Sequence, residues 1–102
     1  MTESTSKPET ALQKVKRHLK IAGPEPETVI RRKLQRAFDR LNPPIALSIR
    51  GDKPYEAKWR EGAELAFSGF GNTADSAAIN AAAELFESPR GAEILAALAG
   101  KI

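Results

Sequence analysis

An α+β domain, a three-stranded antiparallel sheet packed against helices in the order α-α-β-β-β-α-α, is the fold class the sequence predicts, and three observations carry it. Between residues 45 and 68, apolar and polar side chains alternate with period two in short runs separated by turn residues. On either side of this stretch, apolar positions recur at three- and four-residue spacing, as on the buried stripe of a helix. The chain has 102 residues, 41% hydrophobic and 28% charged, which suits one small core in an ordinary globular composition.

Residues 1–9 are Ser, Thr, Glu, Lys and Pro with one Met, too polar to offset their ordering entropy, and predict a disordered tail. From Thr10 as N-cap, Leu12, Val15 and Leu19 mark a short basic amphipathic helix that Gly23, Pro24 and Pro26 stop. Docking on the domain, lying along a nucleic acid, touching an anionic membrane and staying partly unfolded are all open to this helix. The membrane is the least favoured, because the apolar stripe is narrow. Residues 1–26 thus read as tail plus basic helix.

Residues 27–87 form the core unit. After Glu27 and Thr28, Ile30, Leu34, Phe38 and Leu41 give a helical stripe that Asn42-Pro43-Pro44 ends. Ile45, Leu47 and Ile49 alternate with Ala46, Ser48 and Arg50. Gly51-Asp52-Lys53-Pro54 turns the chain, and Tyr55, Ala57 and Trp59 then alternate with Glu56, Lys58 and Arg60. Past Glu61-Gly62, the run Ala63, Leu65, Phe67 completes a meander with one apolar face. Gly69-Phe70-Gly71-Asn72 reads as a turn. Thr73 is the expected N-cap of a covering helix to about Glu87, with Asp75 in its first turn and a stripe of Ala78, Ile79, Ala82, Leu85 and Phe86. In residues 88–102, Ser88-Pro89 reads as the cap and first position of a last short helix with Ile94, Leu95 and Leu98, closed by Gly100. Its leucine stripe is expected to cover the domain's own core, with dimerisation as the other use, so a monomer or a homodimer is expected.

The formal charge of +3 is unevenly placed. Residues 1–41 hold ten Lys and Arg against five acids, a charge of +5, and residues 42–102 hold six against eight, a charge of −2. Two clusters stand out, Lys14, Lys16, Arg17 and Lys20, then Arg31, Arg32, Lys33, Arg36 and Arg40, both at helical spacing. Such clusters suit phosphate contacts, which give salt-dependent affinity without reading sequence. Simple solvation of exposed helix faces is the plain alternative.

Several functions are excluded by composition. With no cysteine and one histidine, the chain has no disulfide framework, thiol nucleophile, iron–sulfur cluster or Cys/His zinc site, so no metal and no cofactor are expected. The N-terminus lacks an apolar core behind a basic start and no apolar run reaches membrane length, so neither a signal peptide nor a membrane span is expected and a cytoplasmic location is. His18, alone in a basic helix, reads as a solvated surface histidine rather than a member of a catalytic set. Glu56 and Glu64 fall with Lys58 and Arg60 on the polar sheet face, where cross-strand ion pairing accounts for them, and Glu61 lies at the same turn. An enzyme is not expected.

The stretch Gly69-Phe-Gly71-Asn-Thr73-Ala-Asp-Ser-Ala77-Ala-Ile-Asn-Ala81-Ala82-Ala-Glu-Leu85-Phe86 follows an α-β-β-β unit. It resembles the end of the double-stranded RNA-binding domain, with Gly69, Gly71, Thr73, Ala77, Ala81 and Ala82 in register. The resemblance spans residues 27–87 and implies the α-β-β-β-α fold. It also implies contact with RNA, with departures. Where that family has lysines at the start of the last helix, this chain has Ala74, Asp75 and Ala78, and the turn Gly51-Asp52-Lys53-Pro54 lacks the family's histidine. The first helix of the unit keeps its cations, which suit phosphates and 2′-hydroxyls. Partial versions of this fold are similar to antitoxin and other bacterial regulator domains that bind proteins. Two functions therefore stand: a small bacterial or phage-type nucleic-acid-binding protein, for double-stranded RNA or DNA, and an antitoxin- or inhibitor-like regulator whose partner is a protein.

Two further motifs admit sharper readings. Gly69-x-Gly71-x-x-Ala74 between strand and helix matches a dinucleotide fingerprint, but no strand follows the helix to complete a βαβ unit, so turning and packing are the better account. Trp59 and Tyr55 share a face with Ala57 and belong to the core rather than to a base-stacking platform. Phe70, between two glycines, is either tucked against the last long helix or exposed to a partner.

Overall fold

The structure, a computed structural model, describes residues 10–21, 23–41, 44–62 and 65–98. Four helices and three strands follow the expected order: α1 (Ala11–Leu19), α2 (Glu27–Asp39), β1 (Ile45–Arg50), β2 (Tyr55–Glu61), β3 (Leu65–Gly71), α3 (Ala74–Glu87) and α4 (Gly91–Leu98). The expected tail at 1–9, the Asn42-Pro43 stop, Ala63, Glu64 and the Gly100 terminator lie outside the described residues.

The starts of α1 and α3 answer to local chemistry. Thr10 accepts from the backbone N–H of Gln13 at 3.2 Å while the Gln13 side chain accepts from the Thr10 N–H at 2.9 Å, a reciprocal cap for α1. Thr73 and Ser76 do the same for α3 at 3.0 and 3.2 Å. α4 begins later than the Ser88-Pro89 reading places it. Ser88 caps the C-terminus of α3 instead, its hydroxyl donating to the Leu85 carbonyl at 2.6 Å, and its own carbonyl accepts from the Gly91 N–H at 2.9 Å. Pro89 and Arg90 are the turn between the two helices.

The strands form an antiparallel meander in the order β1-β2-β3. Ile49 pairs with Ala57 and Leu47 with Trp59 across the first gap, and Ala57 pairs with Gly69 and Trp59 with Phe67 across the second. β3 runs to Gly71, so Gly69-Phe70-Gly71 is strand rather than turn. The reason is close approach: a Cβ on Gly69 would stand 2.3 Å from the Ala81 nitrogen, and one on Gly71 would stand 2.7 Å from the Ala77 nitrogen. Both glycines face α3, and their missing side chains let the helix backbone lie against the strand.

The helices cover one face of the sheet. Trp59 is fully buried between α2 and α3, its ring edge-on to Phe38 at 4.9 Å and its indole N–H donating to the Ala78 carbonyl at 2.9 Å. Ile30, Leu34 and Phe38 of α2 and Ala78, Ala82 and Leu85 of α3 complete that layer as their spacing predicts. α1 docks on α3 through Val15, and α4 folds back on α3 through Ile94 and Leu98. Cover is heaviest over β2 and β3, so Ile49, expected on the buried face, is 39% exposed at the far end of β1. Among the described residues no helix is long and apolar enough to cross a membrane.

Candidate nucleic-acid interface

The nine cations of the two clusters meet different fates once folded. α1 and α2 pack mainly on α3 rather than on one another, so the clusters belong to two separate helices and do not merge. In α1, the Lys14 ammonium lies 3.3 Å from Glu87 and that of Lys16 donates to the Gly23 carbonyl at 3.1 Å. Arg17 and Lys20 are exposed. Lys20 ends the helix in the left-handed conformation at φ 58°, its backbone N–H bonded to the Arg17 carbonyl.

In α2, two cations are absorbed by the fold. The Arg31 guanidinium donates to Asp75 and to Gln35, and the Lys33 ammonium is shared between the two carboxylate oxygens of Glu25 at 2.9 and 3.0 Å. Arg32, Arg36 and Arg40 remain. They lie at i, i+4 and i+8, so they share one exposed face over about 12 Å of helix, and none has an ion-pair partner among the described residues. Asp39 is the acid exposed beside them.

Asp75 occupies the first turn of α3. Burial pushes its carboxyl up, but the hydrogen bonds from Thr28 (2.8 Å) and Arg31, with the charges of Arg31 and Arg32, outweigh this and hold it below its ordinary value. The N-terminus of α3, where the double-stranded RNA-binding domain carries lysines, thus holds a neutralised carboxylate. The β1–β2 turn, residues 51–54, is exposed throughout, with Gly51 at φ 82° and a cis peptide before Pro54.

One sequence expectation is corrected here, and two open positions are placed. His18 is half-buried rather than a solvated surface residue: its ring packs on Phe86 at 5.5 Å between centroids, and its Nε2 is buried with no hydrogen-bond partner among the described residues. Phe70 stands on the outer face of β3 and is 57% exposed. Glu61, paired across the strands with Ile45, faces the helix layer. It accepts from Arg90, at 2.8 Å to the nearer oxygen, and this pairing raises the Arg90 guanidinium further above its usual range. Arg50, Lys58 and Arg60, on the outer sheet face, fell outside the expected clusters. Extending the period-two alternation of β3 through Phe70 would have brought that face into view.

Among the described residues no group of three His, Asp or Glu is placed to hold a metal ion. Comparison with protein-family models, with curated proteins and with solved structures finds no match to this chain.

Proposed function

We propose that the protein binds nucleic acid through the exposed arginine face of α2, with Arg32, Arg36 and Arg40 contacting the phosphate backbone of a duplex. The observation that carries this reading is the sorting of the α2 cations: Arg31 and Lys33 are committed to carboxylates, whereas the three at four-residue spacing share one exposed face with no ion-pair partner among the described residues. Three guanidiniums along one helix face give a charge-led, weakly sequence-specific contact. The α-β-β-β-α order keeps the resemblance to the double-stranded RNA-binding domain in play, with RNA or DNA decided by experiment.

The test is fluorescence anisotropy with labelled double-stranded RNA and DNA at two salt concentrations. Binding that weakens steeply with salt, and that Arg32→Glu/Arg36→Glu/Arg40→Glu abolishes in a folded protein, supports the reading; unchanged binding in that variant removes α2 from it. A second reading, a regulator that docks an acidic protein surface on the same arginines, is favoured by one observation: the pairing of Asp75 with Arg31 leaves no cation at the start of α3 to clamp a duplex. Absence of binding to either duplex at low salt selects it.

A further inference from the structure

Among the described residues nothing covers the face of the sheet turned away from the helices, and its composition is specific. The paired strands place Lys58 between Ser48 and Ser68, and Arg60 between Ala46 and Ala66. Short side chains on both sides leave the two cations standing over a flat floor, about 7 Å apart along β2. One rung further, Glu56 lies between Arg50 and Phe70. Among the described residues of this face three cations stand against one acid, and none of the three cations has an ion-pair partner there. The Phe70 ring, 57% exposed, is the most exposed large apolar side chain described. It is held on a fixed strand: its amino-acid neighbours Gly69 and Gly71 are pinned under α3, and its own carbonyl accepts from the Asn80 side chain.

We propose that this face is a binding platform for single-stranded nucleic acid, with one base stacked on Phe70 and the backbone carried over Lys58 and Arg60. The occupant follows from the chemistry. One aromatic ring beside unpaired cations suits a base joined to phosphates, since base–aromatic stacking tolerates any sequence and the cations supply the charge. A protein partner would need a broader apolar centre, and here the remainder is alanine, serine and charge. Three strands span about 10 Å, a width that suits one strand of nucleic acid lying flat. The platform does not rest on the duplex contact assigned to α2, which packs on the opposite face of the sheet.

The test is anisotropy of the full chain with labelled oligo-U and oligo-dT of about twelve nucleotides at two salt concentrations. The expected result is salt-dependent binding that Phe70→Ala weakens about tenfold and Phe70→Trp preserves. Lys58→Ala/Arg60→Ala should lower the slope of log K against log salt by about 1.4, two phosphate contacts on a single strand. Combining Phe70→Ala with Arg32→Ala/Arg36→Ala/Arg40→Ala should leave the tenfold effect in place, so that failure of the α2 reading and failure of this one are distinguished. In the unsubstituted protein, the amide signals of Lys58, Arg60 and residues 66–70 should shift on addition of the oligonucleotide. No single-strand binding at low salt overturns the proposal. So does wild-type affinity in a folded Phe70→Ala protein, or single-strand affinity that falls with the α2 arginines but not with the sheet residues.

Discussion

Arg31 of α2 donates to Asp75 in the first turn of α3, and Thr28, one turn earlier on α2, donates to the same carboxylate. This pairing converts the most conspicuous departure from the double-stranded RNA-binding pattern, an acid where lysines are expected, into a tie between the two helices that flank Trp59. It also removes Arg31 from the set of cations free to meet phosphate. Substitutions at Arg31 and at its neighbour Arg32 should therefore separate cleanly. Arg31→Ala costs stability, whereas Arg32→Ala, on the exposed face, leaves stability within about 0.5 kcal/mol and acts on binding.

The same pair sets an acid limit. The Asp75 carboxyl is held below the value near 3.9 that it takes in the unfolded chain. Its contribution is therefore complete above about pH 4 and is lost as pH falls through the folded value. Asp75→Asn should lower stability by about 1 kcal/mol at neutral pH and flatten the loss of Tm below pH 4. Thermal unfolding of both proteins between pH 2 and pH 7 measures this, and parallel pH profiles would count against the tie.

Trp59 joins three elements, and its two interactions are separable by substitution. Trp59→Phe keeps an aromatic ring near Phe38 but leaves the Ala78 carbonyl without its indole donor, at a cost of about 1–3 kcal/mol. Trp59→Ala also opens a cavity and should cost about 3–5 kcal/mol. Because the chain has one tryptophan, urea unfolding should be followed by circular dichroism rather than by fluorescence.

The elements legible in the sequence are those whose period agrees with their burial. Ile30, Leu34 and Phe38 announce α2, Ala57 and Trp59 announce the buried side of β2, and Thr73 with Asp75 announces α3; each stands where its spacing puts it. The strand at Gly69-Phe70-Gly71 is not legible because glycine on both sides has the composition of a turn, whereas these glycines serve the approach of two backbones, a tertiary demand that no local pattern records. The exposed arginine face of α2 was half legible. Helical spacing found Arg32, Arg36 and Arg40, but the partners that absorb Arg31 and Lys14, Asp75 and Glu87, lie 44 and 73 residues away in the chain. Long-range pairing of this kind appears only after folding.

The β3–α3 contact gives the sharpest packing prediction. A methyl at Gly69 would meet the Ala81 nitrogen at 2.3 Å and the Asn80 carbonyl carbon at 2.7 Å, both backbone atoms that no rotamer change can move aside. Gly69→Ala must therefore push α3 off the strand, at a cost of about 3 kcal/mol or more. Gly62→Ala is the control, since at Gly62 a Cβ meets nothing within 4 Å although φ is 67°. It should cost about 1 kcal/mol, the strain of the left-handed conformation alone. Comparable destabilisation of the two variants by chemical unfolding would show that the close approach at Gly69 is not limiting.

His18 supplies the opposite case, a substitution that should stabilise. Its Nε2 is buried with no hydrogen-bond partner among the described residues, and its ring already lies on Phe86 of α3. A buried polar atom left unpaired costs about 1–3 kcal/mol, a cost that a carbon at the same place does not carry. His18→Phe keeps the ring–ring contact and removes the unpaired nitrogen, so stability should rise by about 1 kcal/mol and Tm by about 4–8 °C for a domain of this size. His18→Ala removes both ring and nitrogen and should loosen α1 from α3, seen as faster amide exchange at Val15 and Leu19. A lower Tm for His18→Phe would mean that the nitrogen has a partner in solution.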